Sequence, residues 1–227
     1  RKKLTIFFSD IKNFTAISEK LQPEDLTQYL NEYFSEMTNI ALDHGATIDK
    51  YIGDAMMVFF GDPESKGEKE DARSCVKMEL KMRERISYLQ EKWQKQGFAD
   101  PFVIRMGMNT GYCNVGNFGS DQRLTYTIIG SEVNVAQRLE ASAQPGGILM
   151  SYETYAHAQD LIEVEQLESI SMKGVKREIK VFSVLNKLKK ENRTKDTSQK
   201  IKNVAERVGD RLDALETKIE EILKRIN

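Results

Sequence analysis

Cysteine, histidine and long apolar runs are scarce in this sequence, and each shortage excludes a class of protein. The only two cysteines, Cys75 and Cys113, fall in apolar segments, which predicts reduced packing side chains and excludes a disulfide framework. The two histidines, His44 and His157, have no Cys or His neighbours at metal-binding spacing, and no role is assigned to them. No segment contains the ~18 consecutive apolar residues that a membrane span needs. These shortages favour a cytoplasmic domain.

An excess of either charge is also missing, because 34 basic residues nearly balance 35 acidic ones and leave a net charge of −1. The chain therefore has no general attraction for nucleic acid or for an anionic membrane, and neither is expected as a partner. A phosphate-binding site would have to be local. With 227 residues, 40% of them apolar, the chain can form one core of roughly 150–200 residues and an appendage.

The start of the chain suggests a longer parent protein. The first residue is Arg1 and a strand-like run follows almost at once. We therefore expect an excised piece, whose missing N-terminal part carries a regulatory domain or a membrane anchor.

Apolar periodicity predicts strands and helices that alternate along residues 1–186. Pro23 and Ser131 are the expected helix-start signals, with Ser131 as an N-cap, and the glycines between 111 and 119 predict a turn-rich stretch. This alternation favours an α/β sandwich, with helices packed on a mixed sheet. Strands are expected over 3–10, 46–51, 55–60, 102–110, 123–129, 148–151, 162–170 and 179–185, and helices over 24–43, 68–96, 132–143 and 152–160.

The C-terminal part has a different composition. Residues 187–199 are polar and charged, which predicts a linker or an exposed helix. Over residues 200–227 apolar side chains recur at steps of three and four, a heptad pattern with one stutter. We favour a short coiled coil between chains, and a single amphipathic helix docked on the domain is the alternative.

Two aspartates, Asp10 and Asp54, stand at the polar ends of the apolar runs 4–11 and 51–60. A carboxylate beside so much buried apolar surface is costly unless something pairs with it. A divalent metal ion would be a suitable shared partner. Capping of a turn is the alternative for either aspartate alone.

Four segments, in order and at suitable spacing, resemble the catalytic domain of class III nucleotide cyclases, bacterial adenylyl cyclases above all. They are FSDIKNFT at 8–15, KYIGDA at 50–55, RMGMNTG at 105–111 and GSEVNVAQR at 130–138. The resemblance covers residues 3–185. It implies a ferredoxin-like fold with a mixed, mainly antiparallel sheet and packed helices.

The resemblance implies that Asp10 and Asp54 hold two Mg²⁺ or Mn²⁺ ions per site, with the backbone carbonyl of Ile11 as a further ligand. Hard cations prefer such oxygen ligands. Two ions ~3.5–4 Å apart suit phosphoryl transfer, because one acts on the attacking oxygen and the other on the leaving group.

The resemblance also assigns Lys50 and Thr127 to the reading of the base. An ammonium group only donates hydrogen bonds, so Lys50 suits adenine N1, whereas guanine carries a hydrogen there. The Thr127 hydroxyl can accept from the adenine amino group. Guanylyl cyclases usually carry Glu and Cys at these two positions, so this pair favours ATP.

The remaining roles concern the ribose and the phosphates. Asn134 and Arg138 are four residues apart and share a helix face. The resemblance implies that Asn134 orients the ribose and that Arg138 stabilises charge at the α-phosphate. Arg105 and Lys173 match positions that contact the triphosphate, and Lys176 could take the role of Lys173.

The function predicted from this resemblance is that of an adenylyl cyclase, which converts ATP to 3′,5′-cyclic AMP and pyrophosphate. In this family the metal aspartates come from one subunit and the base-reading and Asn/Arg residues come from its partner. This chain contains both sets, so a homodimer with two shared active sites is expected. The alternatives are a guanylyl cyclase, or an inactive dimerisation or nucleotide-binding module.

Overall fold

The computed structural model describes residues 1–172 and 175–188, and the segment Arg1–Asn186 forms one compact unit. The expectations for Lys173 and for the helix over 200–227 lie outside the described residues. So does the predicted linker 187–199, apart from its first two residues, which belong to a strand. Within the described part, no helix is long and apolar enough to cross a membrane.

Strands and helices alternate as the periodicity predicts. The strands are β1 (Lys2–Ile11), β2 (Thr47–Ile52), β3 (Ala55–Phe60), β4 (Ile104–Ser120), β5 (Arg123–Ile129), β6 (Ile148–Ser151), β7 (Ile162–Gln166), β8 (Ile170–Met172), β9 (Val175–Ile179) and β10 (Val181–Leu188). The helices are α1 (Phe14–Ser18), α2 (Pro23–Asp43), α3 (Glu68–Lys95), α4 (Ser131–Ser142) and α5 (Tyr152–Ala158).

The main sheet has the order β2-β3-β1-β4-β6-β10-β7, and β5 pairs with the distal half of β4. The pairs β1–β3, β1–β4, β2–β3, β4–β5 and β6–β10 are antiparallel, whereas β4–β6 is parallel. The first four strands, with α2 and α3 as connections, follow the βαββαβ order of a ferredoxin-like fold. The predicted fold class is confirmed.

The central strand β1 is buried on both faces, and its side chains alternate between two cores. Phe7 and Ile11 pack into the larger core, which α2 and α3 cover, whereas Leu4, Ile6 and Phe8 pack into a smaller core that includes a residue of α4. Because Asp10 has the same parity as the second set, the strand places it on the α4 side of the sheet.

The long strand β4 departs from the prediction of a turn-rich stretch over 111–119, which is wrong. The strand continues through these glycines to Ser120. Position 111 needs glycine because α4 approaches the strand closely there, and a methyl group would lie 2.5 Å from Cγ of Glu132. A glycine in the middle of this strand thus makes room for a side chain of α4.

Three smaller differences concern element ends. Helix α4 begins at Ser131 itself, and Gly130 is the N-cap, without a side-chain capping bond, so the predicted Ser131 cap is wrong. The strand expected over 162–170 is divided into β7 and β8, and β8 pairs with β9 in a separate two-stranded sheet. The short helix α1 was not predicted.

Candidate active site

The two predicted metal-binding aspartates lie close together at one end of β1. Asp10 is the penultimate residue of β1, and Asp54 lies in the tight turn between β2 and β3. Oδ2 of Asp54 accepts a hydrogen bond of 3.1 Å from the backbone nitrogen of Ile11. Partial burial raises the pKa of the Asp54 carboxyl, and the negative charge of Asp10 raises it further. Two carboxylates that repel each other in this way suit a divalent cation.

The donor set fits Mg²⁺ or Mn²⁺ only if other oxygens contribute. Among the described residues, no three His, Cys, Asp or Glu side chains converge as a metal cluster. Two carboxylates supply hard oxygen ligands, and such cations are commonly held by one or two carboxylates together with water and substrate phosphates. The Ile11 carbonyl remains the predicted main-chain ligand.

The Arg105 guanidinium lies between two carboxylates, one of which belongs to Asp10. Its Nη2 atom lies 3.1 Å from Oδ1 of Asp10 and 3.0 Å from Oε1 of Glu140, while Nη1 donates to the carbonyl of Ala141 at 3.1 Å. Burial raises the pKa of Glu140 to about 7, the Asp10 charge adds to the rise, and Arg105 opposes it. With these partners Arg105 positions Asp10, and its contact with a triphosphate stays a prediction.

A second cluster joins β2 to β5. Nζ of Lys50 donates to Oγ1 of Thr127 at 3.1 Å, and the Thr127 hydroxyl donates to Oδ2 of Asp49 at 2.7 Å. The same Asp49 oxygen accepts from the backbone nitrogen of Ile128 at 3.3 Å, and its other oxygen lies 3.0 Å from Nζ of Lys50. The two predicted base-reading side chains are therefore in direct contact.

A cavity of about 550 Å³ lies where α4 passes the end of β1. Asn134 and Arg138, both exposed, lie on its wall one helical turn apart. Asp10 and Arg105 line the same cavity. The cavity thus brings together one of the predicted metal-binding aspartates and the predicted ribose and α-phosphate residues of one chain. Lys50 and Thr127 are not among its lining residues.

Two residues of these clusters were not predicted from the sequence. Glu140 lies on α4 between Leu139 and Ala141, and nothing in its position distinguishes it from an exposed helical glutamate until Arg105 is placed beside it. Asp49 directly precedes Lys50, and strand alternation would place the two side chains on opposite faces. A register irregularity in β2 between Ile48 and Lys50 changes this.

The compact unit is similar to known proteins over its whole length. A family profile described as "Adenylate and Guanylate cyclase catalytic domain" matches residues 1–186. The chain belongs to this family. The resemblance to class III nucleotide cyclases is thus confirmed for the domain as a whole, and the compact unit that carries both clusters is a cyclase catalytic domain.

Relatives of the cyclase domain include enzymes named for both purine nucleotides. The structure of the adenylyl cyclase CyaB from P. aeruginosa is 50% identical, with a TM-score of 0.80 over 83% of this chain and 96% of that one. The guanylyl cyclase Cya2 is 33% identical, with a TM-score of 0.77 over 84% of this chain and 95% of that one. Adenylate cyclase 1 of Rhizobium meliloti is 30% identical over 86% of this chain, which spans only 29% of that protein.

Proposed function

We propose that this cyclase domain is an adenylyl cyclase, which forms 3′,5′-cyclic AMP and pyrophosphate from ATP. The family includes enzymes for both ATP and GTP, so membership alone leaves the base open. The observation that carries the proposal is the 3.1 Å hydrogen bond between Lys50 and Thr127, because this contact supports a joint role of the two side chains in reading adenine. The 50% identity with an adenylyl cyclase structure supports the same choice.

The base-reading pair offers one donor beside one acceptor. The Lys50 ammonium can donate to adenine N1, and the Thr127 oxygen can accept from the adenine amino group. Guanine reverses both features, with a hydrogen on N1 and an oxygen at position 6. A base that leaves buried polar groups of the site unpaired is strongly rejected.

The phosphate end depends on the two aspartates, which would hold two Mg²⁺ or Mn²⁺ ions together with the Ile11 carbonyl. Bound there, divalent ions would supply charge neutralisation at the phosphates and a lower pKa for the ribose 3′-hydroxyl. Asp54 is oriented for this role by its hydrogen bond from the Ile11 amide, and Asp10 by Arg105.

The proposed chemistry is intramolecular, so positioning decides the rate. The 3′-hydroxyl attacks the α-phosphorus and gives its proton to water or to a substrate phosphate, the bond from this phosphorus to the bridging oxygen breaks, and pyrophosphate leaves. Asn134 would orient the ribose, and the planar donor group of Arg138 would stabilise charge at the α-phosphate. Both side chains are exposed on α4 and can reach a ligand without rearrangement of the core.

We propose further that each active site is shared between two copies of this chain. The cavity beside Asp10 lacks the base-reading pair, so a single chain does not surround a whole nucleotide there. The β4–β5 hairpin exposes apolar side chains that a partner could cover, and Tyr112, Leu124 and Ile129 are between 49% and 61% exposed. A monomer should accordingly be inactive.

The substrate proposal is tested by product analysis with purified protein. With Mn²⁺ and either ATP or GTP as the substrate, we expect cyclic AMP from ATP and at least ~100-fold less cyclic GMP, as expected when hydrogen bonds to a base are mismatched. Preferential formation of cyclic GMP would show a guanylyl cyclase. Nucleotide binding without either product would show an inactive module.

A further inference from the structure

We propose that Asp49 sets the nucleotide preference of the site, because it fixes the direction of the Thr127 hydroxyl and holds the Lys50 ammonium. The inference rests on the proposed function, in which Lys50 and Thr127 read adenine. Asp49 itself is not proposed to touch the nucleotide. It is a positioning residue whose side chain is fully buried, with 0% exposure.

The hydrogen-bond direction at Thr127 follows from its two partners. A carboxylate has no hydrogen to give, so the 2.7 Å contact with Asp49 must use the hydroxyl hydrogen of Thr127. An ammonium group cannot accept, so the 3.1 Å contact with Lys50 must use an oxygen lone pair of Thr127. The hydroxyl has a single hydrogen, which is therefore already committed. Its remaining lone pair can only accept.

Because its hydrogen is already bonded to Asp49, Thr127 can distinguish adenine from guanine. A free hydroxyl can rotate and serve either as donor or as acceptor. It would then tolerate the amino group of adenine and the carbonyl group of guanine alike. With its hydrogen held by Asp49, Thr127 can pair with the adenine amino group but has nothing to donate to guanine O6.

The Lys50 ammonium is arranged by the same carboxylate. One of its three hydrogens points to Thr127, and Oδ1 of Asp49 lies 3.0 Å from Nζ as an ion-pair partner without a hydrogen bond. The two other hydrogens remain available for a base nitrogen, and adenine N1 is an acceptor of the required kind. Asp49 thus presents a donor and an acceptor side by side, in the order that matches adenine.

A β-bulge makes this cluster possible. Ile48 and Lys50 pair with neighbouring residues of β3, so Asp49 between them is an extra residue in β2. In a regular strand Asp49 and Lys50 would point to opposite faces, whereas here both reach Thr127. Bulges re-aim side chains in this way, often beside functional sites.

The backbone amide of Ile128 supplies a way to separate the two roles of Asp49. This N–H donates to the same carboxylate oxygen that Thr127 uses. Asparagine has a single side-chain oxygen, so in Asp49→Asn the donors of Thr127 and Ile128 compete with the Lys50 ammonium for it. We expect the oxygen to stay with Thr127 and Ile128, which keeps the hydroxyl direction but removes the charge partner of Lys50. Asp49→Ala removes both.

The experiment measures the preference for ATP over GTP in the full chain, as the ratio of kcat/KM values and as the ratio of dissociation constants. The latter come from displacement of a fluorescent ATP analogue in the presence of Mn²⁺. We expect Asp49→Ala to lower both ratios at least about tenfold, since one hydrogen-bond mismatch is no longer penalised. Asp49→Asn should keep both ratios within about threefold of the original while the KM for ATP rises. Asp43→Ala, an exposed position at the end of α2, is the matched control and should change nothing.

The inference is overturned if a folded Asp49→Ala protein keeps its preference within about twofold, or if both Asp49 variants lose affinity for ATP and GTP equally. Equal loss would mean that Asp49 only supports the fold. If Asp49→Ala does not fold, Asp49→Ser replaces it, because a serine hydroxyl is one bond too short to hold Thr127 and predicts the same loss of preference. A protein that binds ATP preferentially but forms no cyclic nucleotide would refute the proposed activity alone, since the binding ratios still test Asp49.

Discussion

Asp54→Asn should lower kcat for cyclic AMP formation at least ~1000-fold, which corresponds to a loss of about 4 kcal/mol of transition-state stabilisation. The amide is nearly the same shape as the carboxylate and can still accept from the Ile11 backbone nitrogen, but it lacks the charge that a divalent cation needs. The loss should therefore concern catalysis and not folding. Initial rates at saturating ATP and Mn²⁺ give kcat, and thermal unfolding without metal reports on the fold.

For Asp54→Asn, kcat should fall whereas the unfolding temperature should not. Without a cation the carboxylates of Asp10 and Asp54 repel each other, so the neutral variant should unfold at the same or a higher temperature. The exposed Asp43→Asn is a matched control and should keep normal kcat and Tm. If Asp54→Asn kept more than about a tenth of kcat, the proposed metal-binding role of Asp54 would be wrong.

Gly107→Ala should destabilise the domain by about 3 kcal/mol or more and displace α4 from the sheet. A methyl group on Gly107 would lie 2.1 Å from the backbone nitrogen of Glu140 and 2.7 Å from the carbonyl oxygen of Ala136. Both are main-chain atoms of α4, so no side-chain rotation can relieve the overlap. Because α4 also carries Asn134 and Arg138, activity should be lost together with stability.

The measurement for Gly107→Ala is thermal or urea unfolding, with an expected fall in Tm of about 10 °C for a domain of this size. Gly130→Ala is the matched control, because the added methyl group would meet its nearest neighbours at ordinary contact distances of 3.5 and 3.6 Å. It should lose less than about 1 kcal/mol. Equal Tm values for the two variants would contradict the close packing of α4 on β4.

The regular parts of the fold follow from periodicity alone. Helices α2 and α3 and the β2–β3 hairpin were predicted to within one or two residues, because their apolar faces pack directly on the sheet. The length of β4 was not predictable in the same way. Its glycines resemble turn signals, whereas the reason for Gly111 is the position of α4, which the local sequence does not contain.

The candidate site shows the same division between local pattern and tertiary contact. Asp10 and Asp54 stand out in the sequence because a charge interrupts an apolar run. Asp49 does not stand out, since its role depends on a bulge that turns it toward Thr127 on another strand. Arg105 was predicted as a phosphate ligand, but only the structure shows that Asp10 and Glu140 hold its guanidinium.

The arrangement of the cavity leaves two ways to assemble an active site. Asp10, Asn134 and Arg138 line one cavity within one chain, which would allow a site built in cis. In the proposed homodimer, the aspartates of one chain face Asn134 and Arg138 of its partner. The two arrangements make opposite predictions for dimers that combine two different inactive chains.

Complementation between Asp54→Ala and Arg138→Ala chains distinguishes them most directly. The two chains are co-expressed with different tags, and only mixed dimers are purified. A shared site predicts one intact site of two, hence about half the activity of the unmodified dimer, although each variant alone is inactive. A dimer of an unmodified chain with an Asp54→Ala/Arg138→Ala chain should then be inactive. No activity in the first dimer and half activity in the second would contradict the shared site.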